Sequence, residues 1–169
     1  MDTGLVIFDL DGTLVDSSTD LANAANHARA SLGLNPLPTK TVESYVGDGA
    51  DVMVARALAD SKAATYTGTP EQQAGLAAFD EHYLANLHAN TRYYEGVAPV
   101  LEALQAHGYP LALVTNKAER YTLPLLERIG ASNLFAVVVG GDTLAERKPS
   151  GAPLLHVAER LGIAPAELL

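Results

Sequence analysis

Two aspartates, Asp9 and Asp11, stand directly after the apolar run of residues 5–8 and just before Gly12. An apolar run followed by glycine predicts a buried strand and a turn, which places both carboxylates at the carboxyl end of the strand. Positions two apart share one face of extended chain, and a divalent cation could hold two carboxylates together there. One carboxylate could attack phosphorus while the other transfers a proton. The pair therefore predicts phosphoryl-transfer chemistry.

The elements that would position this pair alternate along the second half of the chain. Apolar runs predict strands at 111–114 and 137–139, and helical patterns lie near 99–107, 119–129 and 153–161. Strands separated by helices pair in parallel, so we predict an α/β fold, with a doubly wound parallel sheet and a Rossmann-like core. In such sheets ligands bind at the carboxyl ends of the strands, which is where the two aspartates are expected.

The stretch between the first strand and the rest of this core has a helical pattern throughout. Ser17-x-x-Asp20 is typical of a capping box that starts a helix, and Gly33 is expected to end it. Further helices are predicted near 39, 51–59 and 71–89, with Pro36 and Pro38 in a connection. We therefore predict a core made of residues 1–16 and 94–169, with an all-helical insertion at 17–93.

Two more groups of polar residues follow the other predicted strands. Thr115 and Asn116 come after the strand at 111–114, and their hydroxyl and amide groups suit phosphate oxygens. Lys148 comes shortly after the strand at 137–139, where an ammonium group could bring a carboxylate and a phosphate together. Taken alone, Thr115 and Asn116 would indicate an ordinary turn, and Lys148 would indicate a solvated lysine. Their order after Asp9 and Asp11 favours the phosphate interpretation.

The sequence DLDGTLVDS that begins at Asp9 resembles the opening motif of the haloacid dehalogenase-like hydrolases, and within them the phosphoglycolate phosphatases. The resemblance implies that Asp9 is the nucleophile that forms an aspartyl-phosphate and Asp11 the general acid and base. It implies that Thr115 with Asn116 binds phosphate and that Lys148 stabilises the transferring group. It also implies a Mg²⁺ ion held by the Asp9 carboxylate and the Asp11 main-chain carbonyl.

The helical insertion contains the residues that indicate the phosphoglycolate phosphatase subgroup. Gly47, Gly49 and Arg56 lie in a segment that resembles part of the cap of phosphoglycolate phosphatases. The resemblance implies a mobile cap over the site and a small phosphorylated metabolite, 2-phosphoglycolate, as substrate. Glycines allow a close backbone approach to a ligand, and Arg56 could meet a carboxylate. A solvated Arg56 on an exposed helix face is the alternative.

Composition limits the partners. The formal net charge of -9 argues against nucleic acid and anionic membranes, and it requires local cations for a phosphate ligand. The chain has no cysteine, which excludes disulfides and thiolate ligands and favours the cytoplasm. No long apolar run and no basic segment followed by an apolar one are seen, so neither a membrane span nor a signal peptide is predicted.

The resemblance also implies a fourth motif, a further strand that ends in Gly-Asp and supplies a Mg²⁺ ligand, and residues 165–169 do not contain it. We therefore expect a truncated relative with weak Mg²⁺ binding, low turnover and self-association through the exposed edge of the first strand. Two alternatives to a phosphatase stay open. One is a phosphosugar mutase, and the other is a non-catalytic remnant or binding module. Asp11 disfavours a dehalogenase, because the family's dehalogenases lack this aspartate.

Overall fold

The computed structural model describes residues 4–164. They form two compact units, one made of the described residues up to Asp16 together with those from Arg92 onward, and the other of Ser17–Thr91. The second part of the first unit thus begins at Arg92, slightly before the boundary at 94 expected from the sequence. Residues 165–169, to which the prediction of an absent fourth motif applies, lie outside the described range. Within that range no helix is long and apolar enough to cross a membrane.

The first unit contains all the strands seen in residues 4–164, namely β1 (Val6–Phe8), β2 (Val15–Asp16), β3 (Arg92–Tyr93), β4 (Leu111–Val114) and β5 (Val137–Val139). A parallel sheet has the order β1-β4-β5, with Phe8 opposite Leu113 and Val114 opposite Val139. The predicted parallel sheet is confirmed. Because these strands run in one direction, the chain segments that follow them meet at one edge of the sheet.

The core of this unit lies on both faces of the sheet. Strand β4 is buried over its whole length, as expected for an apolar run between two layers of helices. On one face of the sheet the buried cluster consists of Leu5, Ala112, Val114, Val137, Val139 and Val157. The helices of the first unit are α5 (Val97–Ala106), α6 (Glu119–Arg128) and α7 (Ala152–Leu161), which agree with the predicted helices to within a few residues.

Two local features of the first unit differ from the sequence-based expectation. Strands β2 and β3 form an antiparallel ribbon, with Val15 opposite Tyr93. Two-residue strands are too short to show an alternating pattern, so they were not predicted. Helix α6 continues through Pro124, although proline usually ends or kinks a helix.

The second unit is helical and contains α1 (Ser18–Ser31), α2 (Thr39–Glu43), α3 (Ala50–Ala59) and α4 (Pro70–Ala85). Helix α1 packs mainly on α4. The rings of Phe79 and Tyr83 are both fully buried and stack with centroids 5.2 Å apart. The unit therefore has an apolar core of its own, in keeping with the predicted all-helical insertion.

Asp20 connects the two ends of this unit and does not act as the predicted capping-box partner of Ser17. Its buried carboxylate accepts hydrogen bonds from the main-chain N–H groups of Asn90 and Thr91 at 2.8–3.0 Å, and from both of their side chains. Burial alone would raise the pKa of Asp20, but these hydrogen bonds outweigh it and lower the pKa. Asp20 thus fastens the end of the helical unit to its beginning.

Candidate active site

Asp9 is the first residue after β1, at the carboxyl edge of the sheet. Its Oδ1 accepts a hydrogen bond from the main-chain N–H of Leu10 at 2.8 Å and lies 2.9 Å from the ammonium group of Lys148. Within residues 4–164 its Oδ2 makes no hydrogen bond or ion pair, and the side chain is 40% exposed. One carboxylate oxygen is therefore fixed, and the other is available to attack an electrophile.

Lys148 reaches the same place from the loop after β5. Besides Asp9 Oδ1, its Nζ donates to the main-chain carbonyl of Val114, the last residue of β4, at 3.0 Å. An ammonium group has three N–H donors, so one donor stays available within the described part of the chain. The structure thus brings Asp9 and Lys148 together, as the sequence predicts, although 139 positions separate them.

Thr115 follows Val114 at the end of β4 and is 4% exposed. Its Oγ1 accepts a hydrogen bond from the main-chain N–H of Lys117 at 3.2 Å. Among the described residues the hydroxyl hydrogen has no acceptor, so it can be donated to an anion. Thr115 is therefore placed beside the carbonyl that Lys148 contacts, with a donor to offer.

The side chain of Asn116 makes a hydrogen bond to the loop that carries Lys148, a contact beyond the predicted role of Asn116 in binding phosphate. Its Nδ2 donates to the main-chain carbonyl of Lys148 at 3.1 Å. This bond joins the segment after β4 to the loop that carries the lysine, and so helps to fix where Lys148 stands. Contact of the Asn116 side chain with phosphate stays a prediction.

Asp11 lies in the turn after β1, separated from Asp9 by the buried Leu10. Because the strand ends at Phe8, the shared face of extended chain does not account for the placement of the two carboxylates. Both oxygens of Asp11 instead contact the ammonium group of Lys117, at 3.1 and 3.0 Å. The sequence reasoning missed Lys117, although it follows Thr115 and Asn116 in the same motif and that adjacency was the available signal.

A second missed feature is the pair Gly140 and Gly141 directly after β5. A Cβ on Gly141 would lie 2.2 Å from the carbonyl oxygen of Asn116, and one on Gly140 would lie 2.9 Å from the amide nitrogen of Glu119. Only glycines permit this approach. The N–H of Gly141 uses it to donate to the carbonyl of Lys117 at 2.9 Å. The double glycine after an apolar run was the signal in the sequence.

The other predicted site residues belong to the helical unit. Gly47 and Gly49 have positive φ values of 130° and 96°, so the loop before α3 depends on glycine at both positions. Arg56 lies on α3, where its Nη1 contacts Asp48 Oδ2 at 2.7 Å and the carbonyl of Tyr45 at 3.2 Å. Arg56 is 20% exposed in its side chain, so it is not the fully solvated residue of the alternative interpretation.

The oxygen groups at the end of β1 match what a magnesium ion prefers. Mg²⁺ is commonly held by one or two carboxylates, with substrate phosphate oxygens and water completing its octahedron. The Asp9 carboxylate and Asp11 provide oxygen donors of this type. Within residues 4–164 no group of three or more acidic, histidine or cysteine side chains could hold a metal ion.

Comparison with known proteins identifies the family. The model of the haloacid dehalogenase-like hydrolase family matches residues 6–169. The chain belongs to the haloacid dehalogenase-like hydrolases. The family resemblance found in the sequence is thereby confirmed. The prediction that the chain is an enzyme of this family is confirmed as well.

Similar proteins agree on the subgroup of this hydrolase. It is 48% identical over 163 residues to the phosphoglycolate phosphatase of Chromobacterium violaceum, covering 96% of this chain and 73% of that protein. It is 45% identical over 165 residues to phosphoglycolate phosphatase 1 of Pseudomonas aeruginosa, covering 98% of this chain but 60% of that protein. The hydrolase thus spans between three fifths and three quarters of the length of these relatives.

A solved structure gives the same result for the fold of the hydrolase. The crystal structure of a protein described as a predicted phosphoglycolate phosphatase from Haemophilus somnus superimposes with a TM-score of 0.91 at 36% identity. The match covers 99% of this chain and 76% of the other. The predicted α/β fold class with a helical insertion is confirmed.

Proposed function

We propose that this hydrolase removes the phosphoryl group from a small phosphorylated metabolite, 2-phosphoglycolate, through an aspartyl-phosphate on Asp9. The observation that carries the proposal is the pair of Asp9 and Lys148. The ammonium group lies 2.9 Å from one carboxylate oxygen while the other oxygen has no partner in the described residues. The names of the similar phosphatases support the choice of substrate.

The electrostatics of the site support attack by a carboxylate on a phosphate. Both reactants are anions, and the chain as a whole carries a net charge of -9, so they repel each other without local cations. Lys148 contacts the nucleophile and keeps an N–H donor for a phosphate oxygen. The hydroxyl of Thr115 adds a neutral donor. The Val114 carbonyl and the Asn116 side chain hold Lys148, and the N–H of Lys117 donates to the Thr115 hydroxyl, so both donors are preorganised.

In the proposed first step Asp9 Oδ2 forms a bond to phosphorus as the bond from phosphorus to the glycolate oxygen breaks. Asp11 gives its proton to that departing oxygen. In the second step a water oxygen attacks phosphorus, Asp11 takes the proton of the water, and the bond between Asp9 and phosphorus breaks. Phosphate is released and both aspartates return to their initial states.

Mg²⁺ is the proposed cofactor, held by the Asp9 carboxylate and the Asp11 main-chain carbonyl, and it would neutralise negative charge on the phosphoryl oxygens. A cytoplasmic location stays a prediction that rests on the lack of cysteine. Self-association through β1 also stays a prediction. In the described residues β1 pairs with β4 alone, which is what such an association would require.

The helical unit is proposed to act as a cap that selects the substrate through Gly47, Gly49 and Arg56. The conformations of the two glycines shape the loop before α3, and Arg56 supplies a cation to that loop. A carboxylate such as that of glycolate would be recognised by a guanidinium group. Asp48 already occupies one side of Arg56, so a substrate carboxylate would have to share or replace that contact.

The proposed function is tested by incubating the protein with 2-phosphoglycolate and Mg²⁺ and measuring the inorganic phosphate that is released. Asp9→Asn should lose all measurable turnover, because an amide cannot act as the nucleophile. Glu102→Gln is the matched control, since it removes one negative charge from an exposed position on α5. Retained activity in Asp9→Asn would reject the mechanism. Transfer of the phosphoryl group to a sugar hydroxyl, with little free phosphate, would favour the mutase instead.

A further inference from the structure

Lys117 is the most deeply buried charged group at the edge of the sheet where the proposed site lies. Its side chain is 4% exposed, and that of its partner Asp11 is 14% exposed. The Lys148 and Asp9 side chains, in contrast, are 30% and 40% exposed. The ammonium group of Lys117 contacts both carboxylate oxygens of Asp11, at 3.1 and 3.0 Å, so it fixes the rotation of the carboxylate as well as its position.

Both main-chain polar groups of Lys117, the N–H and the carbonyl, make hydrogen bonds. Its N–H donates to Thr115 Oγ1 at 3.2 Å. Its carbonyl accepts from the N–H of Gly141 at 2.9 Å and from the hydroxyl of Thr122 at 3.1 Å. A long lysine side chain usually loses precision through its rotatable bonds, but here both its base and its tip are anchored. The ammonium group is therefore a fixed point against which Asp11 is oriented.

The burial of Lys117 explains why its ammonium group pairs with Asp11. A buried ammonium group needs an anionic partner, and a partly buried carboxylate needs a donor. Each group thus keeps the other in place at the edge of the sheet. The two lysines have different tasks, because Lys148 faces the nucleophile and keeps an N–H donor for phosphate, whereas Lys117 faces the proton-transferring aspartate.

We propose that Lys117 is a positioning residue that holds the carboxyl group of Asp11 in the orientation from which it gives and takes up a proton. This inference rests on the proposed function of Asp11 as general acid and base. Lys117 acts through Asp11 and touches neither the nucleophile nor the departing group in this proposal. Its removal should therefore slow the steps that need a proton from Asp11 and leave the other steps nearly unchanged.

The test compares two substrates that differ in their need for that proton. The glycolate oxygen of 2-phosphoglycolate must be protonated as it departs, whereas the phenolate of p-nitrophenyl phosphate departs without a proton. We compare kcat/KM, which covers the steps up to this departure and not the later hydrolysis of the intermediate. The proteins are the wild type, Asp11→Asn, Lys117→Met, Lys117→Gln and the double variant of Asp11→Asn with Lys117→Met. Lys62→Met, at an exposed position, is the control for loss of a lysine charge.

The expected result is a selective loss. Asp11→Asn should lower kcat/KM for 2-phosphoglycolate about 100-fold or more, and Lys117→Met about 10- to 100-fold. Both should change kcat/KM for p-nitrophenyl phosphate less than about 5-fold. The double variant should be no slower than Asp11→Asn alone, because the lysine has no effect without the carboxylate. Lys62→Met should resemble the wild type.

Equal losses on both substrates in Lys117→Met, or an additive double variant, would overturn the inference while leaving the proposed function in place. If both Lys117→Met and Lys117→Gln lost the cooperative thermal transition of the wild type, the lysine would be assigned to folding, and the inference would also fall. A wild type that hydrolyses neither substrate with Mg²⁺ would reject the proposed function, and the inference with it.

Discussion

The ammonium group of Lys148 connects Asp9 to the end of the neighbouring strand, with Asp9 Oδ1 at 2.9 Å and the Val114 carbonyl at 3.0 Å. The lysine is thus positioned by a main-chain atom of the sheet as well as by its charge. This arrangement leaves Asp9 Oδ2 uncommitted within residues 4–164. The relationship between the two residues explains how a carboxylate in an acidic protein could approach a phosphate.

Replacing Lys148 by Met should therefore separate activity from stability. We expect a loss of about 100-fold or more in kcat for 2-phosphoglycolate, because one preorganised cationic donor is removed. The free energy of unfolding should change by only about 1 kcal/mol, because both partners of the ion pair are partly exposed. Activity assays and chemical denaturation measure the two quantities. A large loss of stability with unchanged kcat would contradict the role given to Lys148.

The close approach at Gly141 predicts a second, steric effect. Gly141→Ala would place a Cβ 2.2 Å from the Asn116 carbonyl, so the segment after β4 must move away from the loop after β5. We expect a loss of about 1–3 kcal/mol in the free energy of unfolding and reduced activity. Gly151→Ala is the matched control, since the same atom would meet nothing within 4 Å there. Equal effects of the two substitutions would show that the contact at Gly141 is unimportant.

The sequence predicted the parts of the site that depend on local signals. Asp9, Thr115 and Lys148 each follow an apolar strand, and parallel strands place their carboxyl ends at one edge, so their proximity could be inferred. Adjacency to Thr115 and Asn116 was the only signal for Lys117, because no local pattern shows that its ammonium group pairs with Asp11, 106 positions away. The ribbon of β2 and β3 was missed because two residues show no periodicity.

Arg56 provides a prediction for the helical unit. If it recognises a substrate carboxylate, Arg56→Met should raise KM for 2-phosphoglycolate about 10-fold or more, with a smaller effect on phosphate esters that lack a carboxylate. Asp48→Asn, which removes the partner at 2.7 Å, should leave that KM unchanged or lower it. Steady-state kinetics on both variants decide the matter. Parallel increases in KM would indicate that the pair only maintains the shape of the loop.

The stacked imidazoles of His27 and His82, 4.8 Å apart, predict a dependence of stability on pH. Burial, and next the charge of His27, lower the pKa of His82 below its ordinary value of 6.5. The unfolded chain therefore binds a proton at higher pH than the folded chain does. The contribution of His82 to stability is complete above the unfolded pKa and is lost as the pH falls through the folded pKa.

Chemical denaturation at about pH 7.5 and about pH 5 tests this sign. The wild type should lose more stability between the two pH values than His82→Gln does, because glutamine takes up no proton. His88→Gln is the control for the loss of a histidine side chain elsewhere in the same unit. A decrease with pH in His82→Gln as large as in the wild type would contradict the assignment to His82.

The central claim, a covalent aspartyl-phosphate on Asp9, is tested most directly by trapping it. In Asp11→Asn the intermediate should form from p-nitrophenyl phosphate, whose departure needs no proton, and should persist because the base for its hydrolysis is absent. Borohydride reduction followed by peptide mass spectrometry should then find homoserine at position 9. Phosphorylation of another residue, or no modification of Asp9 in a protein whose wild type releases phosphate, would contradict the account.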